Sequence, residues 1–390
     1  MARAVERVPG MSISRVAPLA LRFGAAALLL LSAQSCVAEE GPIDTKAGAI
    51  KVETVTEGLE VPWSATFLPD GRMLVTERPG RLRIVAKDGT LSAALSGVPK
   101  VFAQGQGGLL DVALDPEFAT NSVVYLSYSE AGEGGAGTAV ARGRLGPSGL
   151  DDVKVIFRQQ PKVSGSGHFG SRLTFTPDGK LFVTLGDRQK LDPAQDLASH
   201  LGKIVRINPD GSVPEDNPFL SQKDALPEIW SFGHRNPQGA AIHPATGNLW
   251  ETEFGPAGGD ELNIPAAGAN YGWPLVSWGK HYDGKPIPNP PTQPELGDAI
   301  HHWSPVISPS GMTFYTADAI PGWKGDLLIG GLSSQGIVRL TLDGEKVIGE
   351  ERVALGARIR DVVQGPDGAV YALDESNGRI LRLSLDKPRS

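Results

Sequence analysis

Phe67-Leu-Pro-Asp-Gly-Arg-Met-Leu-Val-Thr76 and Phe175-Thr-Pro-Asp-Gly-Lys-Leu-Phe-Val-Thr184 are nearly the same ten residues at two places in the chain. Val363-Gln-Gly-Pro-Asp-Gly-Ala-Val-Tyr-Ala372 is a third copy. Looser copies are Val112-Ala-Leu-Asp-Pro-Glu-Phe118, Ile242-His-Pro-Ala-Thr-Gly-Asn-Leu-Trp250, and Thr313-Phe-Tyr315 followed by Gly325-Asp-Leu-Leu-Ile329. Each reads as strand, tight turn, strand: Pro presets φ at the first central position, and Gly supplies positive φ where the chain reverses. Six copies at intervals of roughly 45–70 residues predict an all-β fold, a six-bladed β-propeller of four-stranded blades around a central channel. The uneven spacing predicts long inserted loops, mainly at residues 185–230 and 252–310, where a rigid scaffold tends to carry its function.

Composition agrees. The 390 residues include 49 Gly and 31 Pro, about a fifth of the chain, against roughly 12% in average usage. Helical bundles do not tolerate that load, and its even spread argues against disorder. A second pattern follows several copies: Gly80-Arg-Leu-Arg-Ile84, Gly202-Lys-Ile-Val-Arg-Ile207, Gly336-Ile-Val-Arg-Leu340 and Gly378-Arg-Ile-Leu-Arg-Leu383. Its partial alternation of apolar and basic residues predicts half-buried outer strands.

The first 38 residues read as an address. Arg3, Arg7, Arg15 and Arg22 precede or flank a short apolar run, Phe23–Leu31, and a small-residue zone ends at Ala38. This predicts a signal peptide over 1–38, a single β-propeller catalytic domain over 39–390, and export to the periplasm. Cys36, the one cysteine, offers lipid anchoring as the alternative to cleavage after Ala38. The apolar run is too short to span a bilayer, so no transmembrane segment is expected. The net charge is −7, and the basic leader contributes +3 against it. That acidity argues against nucleic acid as a partner.

Four segments carry candidate chemistry. His168, in Ser164-Gly-Ser-Gly-His168-Phe-Gly-Ser-Arg172, precedes a hairpin whose second strand ends at Leu185-Gly-Asp187. The start of one hairpin strand lies beside the end of the next, so His168 and Asp187 are expected to meet. A carboxylate on one ring nitrogen leaves the other as a base; a turn-capping surface histidine is the alternative. Gly233-His-Arg235-Asn236-Pro-Gln-Gly239 offers a guanidinium and an amide for carboxylates or carbonyls. Glu253-Phe-Gly255-Pro256-Ala-Gly-Gly-Asp260-Glu261-Leu-Asn263, followed by Asn270-Tyr271-Gly-Trp273, combines exposed carbonyls with acids, which suits a hard cation such as Ca²⁺; a solvated acidic loop is the alternative. Arg358 and Arg360 alternate on one strand face and so share it, either to bind an anion or to pair with acids. Gln106 is an amide at the start of a strand. His301-His302 lacks the spacing and the partners of a zinc site.

In this order the motifs resemble the soluble pyrroloquinoline-quinone-dependent sugar dehydrogenases of the glucose/sorbosone dehydrogenase family, particularly the aldose sugar dehydrogenases. The resemblance runs over residues 50–385. It implies oxidation of an aldose sugar at C1 to the lactone, with pyrroloquinoline quinone (PQQ) and Ca²⁺ as cofactors and an external electron acceptor, a quinone or a cytochrome. It implies His168 as general base and Asp187 as its orienting partner. Gln106, Arg235, Asn236, Asp260, Tyr282, Ser333, Arg358 and Arg360 are implied as cofactor contacts. Gly255 and Pro256 are implied as carbonyl ligands of the catalytic Ca²⁺, and Glu261 and Tyr271 as ligands of a structural one. Two departures stand out: Ser333 occupies a position where some relatives carry a lysine, and Phe254 replaces a polar residue. The rivals are a Ca²⁺-dependent propeller lactonase and a non-catalytic exported propeller that binds carbohydrate or protein.

Overall fold

The computed structural model describes residues 41–386. The expected leader, Cys36 and the cleavage zone lie outside them. Six antiparallel sheets make six blades: I, residues 62–85; II, 109–158; III, 173–232; IV, 237–303; V, 309–354; VI, 359–385 together with 43–56. Each innermost strand touches that of the next blade, and VI touches I, so the ring closes. Helix among the described residues is limited to Phe118–Asn121 and three short 3₁₀ turns. None of it is long and apolar enough to cross a membrane.

Every repeat copy sits at the turn between the first and second strand of a blade. Phe67 pairs with Met73, Leu114 with Val124, Phe175 with Leu181, Ile242 with Leu249, Phe314 with Leu327 and Gln364 with Val370. The second strands Met73–Glu77, Leu181–Leu185, Leu249–Glu253, Leu327–Gly331 and Val370–Asp374 are buried throughout, because both their faces are covered by neighbouring blades. Side chains alternate between those faces. Thus Leu74 packs with Leu109 and Val112 of blade II, while Met73 and Val75 pack with Leu373 and Ile380 of blade VI. Each of the six seams holds one such apolar cluster.

Two expectations are corrected and one feature is added. Blade I has three strands rather than four; the fourth place is taken by irregular chain, with Ser92 N and Leu95 N donating to the carbonyls of Ile84 and Leu82 (2.8 Å each). Blade VI is completed from the other end of the chain: Gly48–Thr56 pairs with Arg379–Leu385, which latches the ring. The basic strands are third strands. Only Arg81–Val85 is outermost, and Lys203–Ile207 is wholly buried. Its cations are satisfied inside: Arg206 lies 4.5 Å from the Trp230 ring centroid, and Lys203 Nζ donates to the carbonyls of Pro193, Ala194 and Leu201 at 2.8–2.9 Å.

The channel axis is bolted by Arg172. Its guanidinium reaches Asp111 of blade II (3.3 Å) and Asp361 of blade VI (3.2 Å) and donates to the carbonyls of Gln238 in blade IV and Arg360. It also lies 4.2 Å from the ring centroid of Trp63 in blade I. Blade V contributes Gly311, where a Cβ would fall 1.6 Å from Asp361 Oδ1. Only glycine admits that approach.

Candidate active site

Antiparallel blades put the start of every first strand and the end of every second strand at the same rim of the channel. Gln106, His168, Arg235–Asn236 and Arg358 precede or open first strands. Asp187, Gly255, Ser333 and Glu375 follow second strands. The blade topology therefore gathers residues that are far apart in sequence.

His168 Nδ1 lies 2.7 Å from Asp187 Oδ1, the contact expected from the hairpin. Both residues are buried, and His168 Nε2 makes no hydrogen bond among the described residues. The Nδ1–H tautomer is thus held against the carboxylate, leaving Nε2 as the acceptor. His168 has φ 52°, a left-handed conformation that needs support. Gln106 Oε1 accepts from its backbone N–H at 2.7 Å. Arg188, fully buried, donates to the carbonyls of Gly167, Gly165 and Ala136 at 2.7–2.8 Å and lies over Phe169. Asn236 Oδ1 accepts from Gly170 N–H (3.2 Å) just beyond. Burial holds the His168 pKa below its ordinary 6.5, helped by the charges of Arg235 and Arg188 and opposed by Asp187. The Asp187 pKa is itself lowered: burial acts against this, but the bonds from His168, Trp273 and Gln189 outweigh it.

Arg235 Nη1 donates to the carbonyls of Phe254 (3.0 Å) and Gly255 (2.8 Å), and Nη2 to the hydroxyl of the exposed Tyr282 (3.2 Å). Arg358 and Arg360 share one counter-ion, Glu375, at 3.6 and 2.9 Å, with Arg78 Nη1 at 3.8 Å from the same carboxylate. Both readings of the arginine pair meet here: they pair with an acid, yet three guanidiniums face one carboxylate. Arg360 Nη1 also donates to Gln238 Oε1 (2.7 Å). The Nε atoms of Arg235 and Arg360 are buried without a partner. Ser333 is exposed, and its hydroxyl donates to the Val306 carbonyl (3.2 Å).

The carbonyl loop at 255–259 is anchored by Asp260. One carboxylate oxygen takes Gly255 N–H (2.9 Å), and the other takes Ile307 and Ser308 N–H (2.8 and 2.7 Å). Burial raises its pKa to about 6 against those bonds. With both oxygens committed to backbone, Asp260 shapes the loop. A Cβ at Gly255 would meet the carbonyls of Gly258 and Gly259 at 2.2 Å. Beside this loop, Glu251, Glu253 and Glu261 converge with His234 and Asn263. His234 Nδ1 lies 3.3 Å from Glu253 and 3.6 Å from Glu251, and Asn263 Nδ2 donates to Glu251 at 2.8 Å. Burial and the charge of Glu253 push the Glu251 and Glu261 pKa values well above the usual carboxylate range. Glu251 Oε2 and Asn263 Oδ1 are buried and unpartnered. An oxygen-rich, over-charged nest with orphaned acceptors fits a Ca²⁺ ion. The Tyr271 hydroxyl is already used, donating to the Ile264 carbonyl (2.6 Å), so only its backbone oxygen is left to offer.

Sequence reading missed Trp273 as a partner of Asp187, Glu375 as the arginines' counter-ion, Arg188, and Glu251 as part of the acidic nest. Three of these were findable. Arg188 and Glu375 follow second strands at the rim, and Glu251 alternates with Glu253.

Residues 59–382 match the profile of the family described as Glucose / Sorbosone dehydrogenase. Aldose sugar dehydrogenase YliI of Escherichia coli (strain K12) is 46% identical over 344 residues, covering 86% of this chain and 93% of that protein. A solved structure described as glucose dehydrogenase superposes with TM-score 0.83 at 47% identity, covering 87% of this chain and 100% of that one. The PQQ-bound form of aldose sugar dehydrogenase from Streptomyces coelicolor superposes with TM-score 0.70 at 27% identity, covering 88% and 99%.

Proposed function

The chain belongs to the glucose/sorbosone dehydrogenase family, and from that premise we propose that it is an exported, periplasmic, PQQ-dependent aldose sugar dehydrogenase that oxidises C1 of the sugar to the lactone. The observation that carries this reading is the rim itself. There a buried histidine, neutral and with one nitrogen clear, stands at the same channel end as arginines whose inner nitrogens lack partners.

The residues suit a flat polycarboxylate and its metal. Arg235, Arg358 and Arg360 would take carboxylates, with Gln106, Asn236 and Tyr282 around them. Ser333 offers a hydroxyl rather than a further charge. The Gly255 and Pro256 carbonyls would hold the catalytic Ca²⁺; the Glu261 carboxylate and the Tyr271 carbonyl would hold the structural one. When bound there, the quinone with its Ca²⁺ would supply the hydride acceptor, with an external quinone or cytochrome as the proposed final electron acceptor. His168 Nε2 takes the C1 hydroxyl proton, and Asp187 balances the imidazolium that results. The arginines stabilise negative charge without moving, being fixed beforehand by Gln238, Glu375 and the Phe254 and Gly255 carbonyls.

Apoprotein supplied with Ca²⁺ and PQQ is expected to reduce an artificial dye with glucose or another aldose. If no aldose supports dye reduction, the redox reading fails; lactone hydrolysis without added quinone would select the hydrolase instead.

A further inference from the structure

Two insertions, residues 186–202 and 264–300, meet over Asp187. Asp187 Oδ1 takes His168 Nδ1–H and Gln189 N–H (2.7 and 2.8 Å), and Oδ2 takes the indole N–H of Trp273 (2.8 Å). Trp273 is buried and is held at several points. Its backbone N–H donates to the Gly233 carbonyl (2.9 Å), and its carbonyl accepts from Gln195 Nε2 (2.8 Å). Gln195 and Asn270 exchange amide bonds at 3.0 and 2.7 Å, joining the two insertions. Ala194 and Ile287, one from each insertion, pack with the ring. On the same ring, 5.2 Å from its centroid, lies the Arg235 guanidinium.

We propose that Trp273 is a positioning residue shared by the base and the anion-binding cation: its N–H fixes Asp187 and through it His168, while its ring seats Arg235. Indole is a donor only, so it fills the second carboxylate oxygen without adding charge or competing for the imidazole proton. A carboxylate with one oxygen unclaimed is free to turn and is more basic. It then pulls harder on His168 and raises its pKa. The charged groups that act on the imidazole are Asp187, Arg235 and Arg188; of these, Asp187 is the one that takes a hydrogen bond from Trp273. What His168 does in turnover rests on the reading above, but its titration does not.

The test is the His168 imidazole titration by NMR in apoprotein, without quinone or sugar. Trp273→Phe removes the N–H. Replacing Trp273 with benzothienylalanine removes it while keeping the ring's shape, which guards against a folding defect. In both, His168 is expected to titrate about one pH unit above wild type, and the acid limb of kcat in the loaded enzyme should move by the same amount with little change in KM. Gln195→Ala, which frees the Trp273 carbonyl and breaks the amide pair with Asn270 but leaves the indole N–H in place, is expected to fall between them and wild type. If His168 titrates at the wild-type pH in both ring variants, Trp273 is packing alone and the proposal is wrong.

Discussion

A histidine works as a base near neutral pH only if its ring is uncharged and one nitrogen is kept clear. Burial achieves the first for His168 and the Asp187 contact the second. Because the imidazole pKa sits below 6.5, the base form is present from mildly acidic pH upward. The acid limb of kcat/KM should therefore have its midpoint below pH 6.5. In Asp187→Asn it should move lower still, since the carboxylate that opposes burial is gone; a pH–rate series on the two proteins checks both. His168→Ala is expected to cut kcat by about 10²–10⁴-fold while an absorption titration still shows quinone binding. Wild-type turnover in that variant would remove the base assignment. The His168–Asp187 pair was legible because it needs only hairpin geometry. Trp273 was not, because it reaches Asp187 from 86 residues further along the chain, out of a loop with no period to read.

At the scale of elements, the Pro-Asp-Gly turns were legible because turn chemistry is local. The burial of the third strands was not, because what covers a strand is set by the neighbouring blade. Lys203 shows the consequence. Read as part of a half-buried outer strand, it is instead fully buried, with its ammonium on three carbonyls of the 193–201 loop and its pKa pushed down to about 7 by burial. Lys203→Met would take a donor from all three and leave the Leu201 carbonyl without one, since Pro193 and Ala194 keep the backbone N–H of Asp196 and Gly233. It is expected to cost about 2–4 kcal/mol in a denaturant titration and to loosen the loop that carries Gln195. Unchanged stability would mean that the carbonyls find other partners. The missing fourth strand of blade I was likewise invisible, since the Ser92 and Leu95 amides bond to the sheet without regular pairing.

For the whole molecule, six copies of one turn announced the number of blades, but neither the latch nor the bolt that closes them has a repeat signature. Gly48–Thr56 must come from the N-terminal side to complete blade VI, so deletion through Thr56 is expected to lower the thermal midpoint sharply and broaden the transition. Arg172→Met strands Asp111 and Asp361 at the axis and is expected to cost about 3–5 kcal/mol at neutral pH. Burial already raises the Asp111 pKa, and Arg172 is the charge that opposes it. Without that charge the carboxyl favours its protonated form further, so the deficit should grow as pH rises above the unfolded value near 3.8 and shrink as pH falls towards it. These supports matter because they hold one rim in place, and the function proposed for the chain depends on that rim acting as a unit. The most direct test is a single-turnover experiment: apoprotein loaded with one equivalent of PQQ and Ca²⁺, mixed with excess aldose and followed by the quinone absorption. Wild type should lose the oxidised band stoichiometrically and His168→Ala should retain it. Equal bleaching in both proteins, or bleaching in neither, would contradict the account.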